Sequence, residues 1–149
     1  LFMTYERTHE SFLLSTDPAK IDLPTVHRYL SESSYWAKNI PFDVFRTSVQ
    51  NALCFGIYEN GHQAGFARVI TDKATFGYIG DVFILDPYRG RGLSKWLMQC
   101  ILEHPELQGF RRWILATADA HGLYAQSGFH PLAKPDRWME LHNPNVYQP

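Results

Sequence analysis

The feature that most constrains this chain is a strand-like run, Phe76 to Leu85, that passes through Asp86-Pro87-Tyr88-Arg89-Gly90-Arg91-Gly92 and opens directly into an amphipathic helix. In that helix Leu93, Trp96, Leu97, Cys100 and Ile101 share one face, so it must pack against a core. At the junction, glycines allow close backbone approach, and the free N–H groups and dipole of a helix N-terminus favour negative charge. Arg89, Arg91 and Lys95 add cations. The junction therefore reads as an anion cradle whose expected guest is a phosphate or pyrophosphate. Its spacing is neither the Walker pattern nor the dinucleotide-binding G-x-G-x-x-G.

Upstream, the runs Leu53 to Tyr58 and Gln63 to Thr71 flank Asn60-Gly61, the signature of a two-residue hairpin. With Phe76 to Leu85 they predict an antiparallel meander. Nearer the N-terminus we expect a strand at Ser11 to Ser15 and a helix over Asp22 to Leu30, with Pro24 in its first turn. A second helix should begin at Pro41, where Phe42, Phe45 and Val49 recur on one face. Downstream, the central helix should stop near Pro105, followed by a strand at Arg112 to Thr117, a short helix at Ala120 to Gln126, and extended structure from Phe129 onward. This order predicts a mixed α/β fold, with helices on both faces of one largely antiparallel sheet. No repeat or flexible linker interrupts residues 1–149, which we read as a single domain.

At 45% hydrophobic and 15% aromatic residues the chain can build a substantial core. Its 14 basic and 15 acidic side chains nearly cancel, so no global field favours nucleic acid or a membrane, and an anionic ligand needs a local site. Arg111-Arg112-Trp113 reads as a solvated rim. Cys54 and Cys100 lie in apolar runs without metal-ligand spacing, and the histidines form no paired motif, so neither metal nor cysteine chemistry is expected. Buried thiols, together with the lack of a spanning run or secretion pattern, point to the cytoplasm.

The segment Arg89-Gly90-Arg91-Gly92-Leu93-Ser94 resembles the Q/R-x-x-G-x-G/A signature of the GNAT acyltransferase superfamily, departing from it only at Ser94. A second segment, Ala120-His121-Gly122-Leu123-Tyr124-Ala125-Gln126-Ser127-Gly128-Phe129, is similar to the family's A-x-x-x-Y-x-x-x-G-F. The resemblance runs from Leu53 to Phe129, while the first 50 residues match only in their strand and paired helices. It implies a GNAT-type sheet splayed at the cofactor site, and acetyl-coenzyme A as cosubstrate, without a metal. Val82, Phe83 and Ile84 would then pair with the pantetheine arm as though it were an added strand, and backbone N–H groups there would stabilise a developing oxyanion. Residues Arg89 to Lys95, including Leu93 and Ser94, would hold the pyrophosphate.

The same resemblance makes Tyr124 the group that protonates the departing thiolate. The attacking amine must lose a proton, and Asp81, His121 and Asp119 are the candidate bases. Each has a plainer alternative: Asp81 in a strand hydrogen bond, His121 on the surface, Asp119 as a helix cap. Tyr35 and Trp36, in the loop between the first two helices, together with Phe66, Arg68 and Asp119, are candidates for the acceptor pocket. The plainer alternatives are that Trp36 pins the loop to the core, that Phe66 belongs to the core and that Arg68 is a surface charge. The implied activity is N-acetylation of a primary amine on a small molecule or peptide, by direct attack in a ternary complex. A non-catalytic acyl-coenzyme A sensor and a protein N-acetyltransferase are the alternatives. The segment Pro135 to Pro149 either covers a sheet edge or joins a partner, which would make a homodimer.

Overall fold

The computed structural model describes residues 3–148. Six strands, β1 (Glu6–His9), β2 (Phe12–Ser15), β3 (Leu53–Glu59), β4 (His62–Thr71), β5 (Phe76–Ile84) and β6 (Arg112–Ile114), form one sheet in chain order. Every neighbouring pair is antiparallel except β5 and β6, which run parallel. The expected meander is present. Its tight turn has both Asn60 and Gly61 at positive φ, the conformation that Asn-Gly favours in a hairpin. The strand expected at Ser11 to Ser15 is β2, and it is joined by an edge strand, β1, that sequence reading does not anticipate. All four β1 residues are exposed, so β1 carries no apolar alternation to betray it.

Two core clusters lie on opposite faces. One packs Phe55, Ile57, Val69 and Ile79 under α3 (Leu93–Leu102), whose Leu93, Leu97, Met98, Cys100 and Ile101 are buried. The short α4 (His121–Ala125) closes the same face with Tyr124. The other packs Cys54, Phe66 and Phe83 beneath α1 (Leu23–Arg28) and α2 (Phe42–Gln50). Helices thus cover both faces, as the sequence predicts. The α1 helix is capped by Asp22, whose carboxylate accepts the Thr25 N–H at 3.2 Å, and it runs on into a π-helical turn at Tyr29–Ser33.

The expected strand at Arg112 to Thr117 is cut to three residues, because β6 follows β5 only at Phe76–Tyr78 and then diverges from it. From Phe129 onward the expectation of strand-like structure gives way to an irregular tail with a single 3-10 turn at Pro135–Arg137. Among the described residues, no helix is long and apolar enough to cross a membrane, and no group of three or more His, Cys, Asp or Glu side chains is placed to hold a metal ion.

Buried titratable groups bracket the stability of this core. Burial pushes the Cys54 thiol up to about 12 and the Cys100 thiol up to about 11, and raises the phenols of Tyr5, Tyr58 and Tyr124. Burial lowers His104. A raised acid stabilises the fold below its unfolded pKa and ceases to do so as pH climbs towards its folded value, whereas a depressed histidine acts in the opposite sense. The urea midpoint should therefore be greatest between roughly pH 7 and 8.5. It should decline above about pH 9 as unfolded thiols and phenols ionise, and below about pH 6.5 as unfolded histidine charges. A midpoint that rises between pH 9 and 11 would contradict this account.

Candidate active site

The site is created by the parting of β5 and β6. Beyond Tyr78, β5 continues to Ile84 with β4 on one side and no strand on the other, so one edge of Ile79–Ile84 lies open in a V-shaped gap. Val82, Phe83 and Ile84 occupy this stretch. Leu85 N–H is committed to Ala64 O at 2.9 Å on the β4 side.

A β-bulge sets the side chains along the gap. Phe66 faces Phe83 and Arg68 faces Gly80, so Ala67 meets two residues, Asp81 and Val82. Asp81 takes φ 55, a left-handed conformation that aspartate tolerates better than most residues. The bulge changes the phase of the strand, because Ile79 packs under α3 whereas Phe83 packs under α1 and α2. It also turns the Asp81 carboxylate towards the α1–α2 side, where Oδ2 accepts from Arg68 Nε at 2.8 Å and Oδ1 accepts from Trp36 Nε1 at 2.8 Å. Val82 packs towards the α3 cluster, on the face opposite Asp81.

Trp36 and its neighbour Tyr35 bridge the gap. Trp36 reaches β5 through Asp81, and Tyr35 Oη accepts the Ala118 N–H at 2.8 Å on the segment after β6. The two rings meet edge to face at 5.0 Å. The flanks explain why the aromatics project. Ser34 and Ala37 are buried, with Ser34 Oγ donating to Leu30 O and accepting from Ala37 N–H, while Tyr35 and Trp36 remain 59% and 41% exposed. Trp36 therefore does not pin the loop into the core.

Tyr124 stands on the β6 side of the gap. It is buried, and its ring meets Phe129 edge to face at 6.2 Å. Burial raises its phenol, and the nearby Tyr35 and Asp119 add to the rise, so the hydroxyl keeps its proton throughout the physiological range. Thr117 Oγ1 accepts the N–H of Ala120, the residue before α4, at 3.0 Å, and no side chain caps the helix, so exposed Asp119 does not play the capping role. His121 opens α4 and is exposed.

The loop before α3 is open, and one of its expected cations is engaged elsewhere. Gly90 and Gly92 have φ of 80° and 74°, and a Cβ placed on either would meet no atom within 4 Å, so both face open space. The first intrahelical bond of α3 is Trp96 N–H to Gly92 O, and no side chain caps the helix, which leaves the N–H groups of Leu93, Ser94 and Lys95 aimed outward. These residues fit a pyrophosphate. Arg89 does not serve as a cation in the cradle: Nε donates to Ile84 O at 2.9 Å, Nη1 pairs with Asp86 at 2.6 Å, and Nη2 donates to Tyr29 Oη at 3.2 Å. It braces the loop instead. Arg91 leans over Phe12, with Glu59 3.8 Å away, while Lys95 is exposed on the first turn of the helix.

Two further expectations need revision. Phe66 is fully buried and packs against Phe83 at 6.0 Å, so both faces of the sheet being covered makes it core and not an acceptor wall. Asp81 has both carboxylate oxygens engaged, one by Arg68 and one by Trp36, so it stands in the site as a partner in a fixed polar network. Sequence reading also missed Tyr29, which stacks on Phe83 at 4.0 Å and anchors Arg89 from 60 positions away. No local signal could have found it.

The side chains of Arg68 and Asp81 are only 17% and 10% exposed. Removing one partner of such a pair strands the other, so Asp81→Ala should cost about 3 kcal/mol in urea unfolding, and Arg68→Met in the same chain should recover part of the loss. Additive losses in this cycle would mean that the pair is not coupled.

Known proteins resemble this chain in sequence and in fold. Residues 20–129 match the model of the Acetyltransferase (GNAT) family. A Gibberella zeae protein assigned by name as an acetyltransferase is 32% identical, with 80% of this chain and 79% of the relative covered. A crystal structure of a Xanthomonas campestris pv. campestris protein, assigned to the GNAT family as an acetyltransferase, superposes with TM-score 0.92 at 47% identity, covering 95% of this chain and all of the other. An assigned acetyltransferase of Clostridium acetobutylicum, crystallised with acetyl-coenzyme A, shares the fold at TM-score 0.64 and 17% identity, covering 94% and 96% of the two chains. With a splayed β5–β6 edge leading into a glycine cradle, and a family model spanning most of its length, this chain belongs to the GNAT acetyltransferase family.

Proposed function

We propose that the protein transfers the acetyl group of acetyl-coenzyme A to a primary amine of a small molecule or peptide, by direct attack in a ternary complex. The observation that carries this reading is the V-shaped gap itself, which ends in an open cradle at one side and is spanned by Tyr35 and Trp36 above a buried, protonated Tyr124.

The open edge of β5 at Val82 to Ile84, where Ile84 O is already taken by Arg89 Nε, offers its remaining outward N–H and C=O groups to the amides of the pantetheine arm, and the N–H groups of Leu93, Ser94 and Lys95 receive the pyrophosphate. Bound there, acetyl-coenzyme A supplies an activated acyl group on a thiol leaving group. The chain does the rest. A strand N–H at the open edge donates to the acyl oxygen as negative charge develops on it. The amine attacks in its neutral form, because an alkylammonium has no lone pair to give. As the new carbon–nitrogen bond forms and the carbon–sulfur bond breaks, the nitrogen sheds a proton and Tyr124 gives its own to sulfur. The net transfer is one proton from nitrogen to sulfur, and a concerted hand-off avoids a free tyrosinate. Asp119, exposed and within electrostatic reach of Tyr124, takes the nitrogen's proton and passes it to the Tyr124 oxygen as that oxygen protonates sulfur, which closes the balance, while Asp81 with Arg68 and Trp36 shapes the acceptor wall. A cellular interior, where acetyl-coenzyme A is made, is the setting this reaction requires.

The test is release of free thiol from acetyl-coenzyme A across a panel of small amines, amino-acid amides and peptides. Acceptor-dependent release with a matching acetylated product supports the assignment. Tight cofactor binding without turnover on any acceptor would favour an acyl-coenzyme A sensor.

A further inference from the structure

Part of the sheet presents an apolar face that no helix covers. Along β5, Gly77 and Ile79 turn to the α3 side, where Trp113 lies against Gly77 and Ile79 joins the core. Phe76, Tyr78 and Gly80 therefore stand on the α1–α2 side, and all three are half-exposed. The same alternation puts Ile70 of β4 and Ile114 of β6 on that side, because Val69 and Trp113 pack with the α3 cluster. Ile70 lies opposite Tyr78, and Tyr78 lies beside Ile114, so three apolar side chains form one row across three strands. Ile70, Phe76, Tyr78 and Ile114 belong to neither core cluster, and Ile70 is 44% exposed. On this side α1 and α2 pack on Cys54, Phe66 and Phe83 instead.

The row leads into the gap. The Tyr78 ring leans along β5 over Gly80, where an added Cβ would come within 3.2 Å of Tyr78 Cε1. Arg68 stands opposite Gly80, pairs with Asp81 and so connects the row to Trp36. The Arg68–Asp81 pair balances its own charge. Asp119, near Tyr124 at the reacting end, has no ion-pair partner among the described residues. One end of the surface is therefore acidic and the other apolar.

We propose that Ile70, Tyr78 and Ile114 bind the body of the acceptor, and that the acceptor is a primary amine bearing an aromatic or branched apolar group. The assignment of the occupant rests on acetyl transfer at the gap. Asp119 draws the ammonium form to the reacting end, and the apolar group covers the row, which matches the surface end for end. Three residues of strand separate Tyr78 from Asp81, roughly 10 Å, and the Tyr78 ring leans into part of that distance. A ring carried a few carbons from the nitrogen therefore reaches the row. Binding of this kind acts on the whole acceptor and not on the reacting atoms, so it sets which amine is chosen and leaves the proton path to Tyr124 and Asp119.

The test compares 2-phenylethylamine with ethanolamine, primary amines of similar basicity that differ in apolar body. With acetyl-coenzyme A and the wild type, kcat/KM should be at least about 10-fold higher for 2-phenylethylamine. In Ile70→Ser with Ile114→Ser that ratio should fall at least about 5-fold, with the loss carried mainly by KM. If the double variant does not fold, Ile70→Ser alone decides, since its side chain already meets solvent, and it should lower the ratio about 2- to 3-fold. A ratio near unity in the wild type, or an unchanged ratio in a folded variant, overturns the proposal. If neither amine releases thiol, calorimetric titration of 2-phenylethylamine in the presence of coenzyme A separates the two claims. Binding that weakens at least about 5-fold in the variant keeps the apolar row and removes only acetyl transfer to such amines. Equal binding in the two proteins, or none up to about 10 mM, overturns the row as well.

Discussion

Replacing Gly92 with glutamate should abolish acetyl-coenzyme A binding, seen by calorimetry as a loss of more than about 10³-fold in affinity. Two effects act in the same direction. Gly92 sits at φ 74°, where a side chain costs about 1–2 kcal/mol, so some strain enters the turn. The larger effect is occupancy. The added Cβ meets no protein atom within 4 Å, so the side chain extends into the cradle and sets a carboxylate against a diphosphate where helix N–H groups should stand. Gly92→Ala separates the two: it carries the strain with little of the occlusion and no charge, and should bind measurably. Thermal unfolding of the glutamate variant should fall by no more than about 8 °C, as the strain alone predicts for a chain of this size. Undiminished binding in a folded Gly92→Glu protein would place the phosphates elsewhere.

How much of this was legible in the sequence depended on whether the cause was local. The cradle was, because positive φ at Gly90 and Gly92 and the apolar period of α3 are properties of a dozen consecutive residues. So was the Asn60-Gly61 hairpin. The role of Arg89 was not. Within its motif it reads as a cation for phosphate, and only the fold brings Tyr29 to it and turns it into a brace. Asp81 reads in sequence as a candidate base, but its partners Arg68 and Trp36 come from β4 and from the α1–α2 loop, and they make it half of an ion pair. Phe66 misled for a related reason. An aromatic residue on a strand looks the same in sequence whether its face is open or covered, and here α1 and α2 cover it. The tail shows the opposite failure. Met139 to His142 has the alternation of a strand, yet alternation specifies a face and not a partner, and among the described residues no backbone N–H there has a hydrogen-bond partner.

Tyr124→Phe should lower kcat by roughly 10²- to 10⁴-fold while leaving the affinity for acetyl-coenzyme A nearly unchanged, as expected for a proton donor that acts only when sulfur departs. The substitution removes one oxygen from a buried ring and keeps the contact with Phe129, so the fold should tolerate it. The pH profile distinguishes this role from a merely structural one. With an alkylamine acceptor, whose conjugate acid has a pKa near 10.4, the wild-type rate should climb with pH as more of the amine is neutral. Burial raises the Tyr124 phenol above its ordinary value near 10, so its proton is retained while the amine loses its own, and no descending limb should appear below about pH 10. The phenylalanine variant should show the same climb at a lower level. A wild-type profile that falls between pH 8 and 9.5, with the fall absent from the variant, would mean that Tyr124 ionises in that range and that its environment is not the buried one seen between Tyr35, Asp119 and Phe129. Equal kcat in the two proteins would remove Tyr124 from the proton path and leave the leaving thiolate to be protonated by solvent.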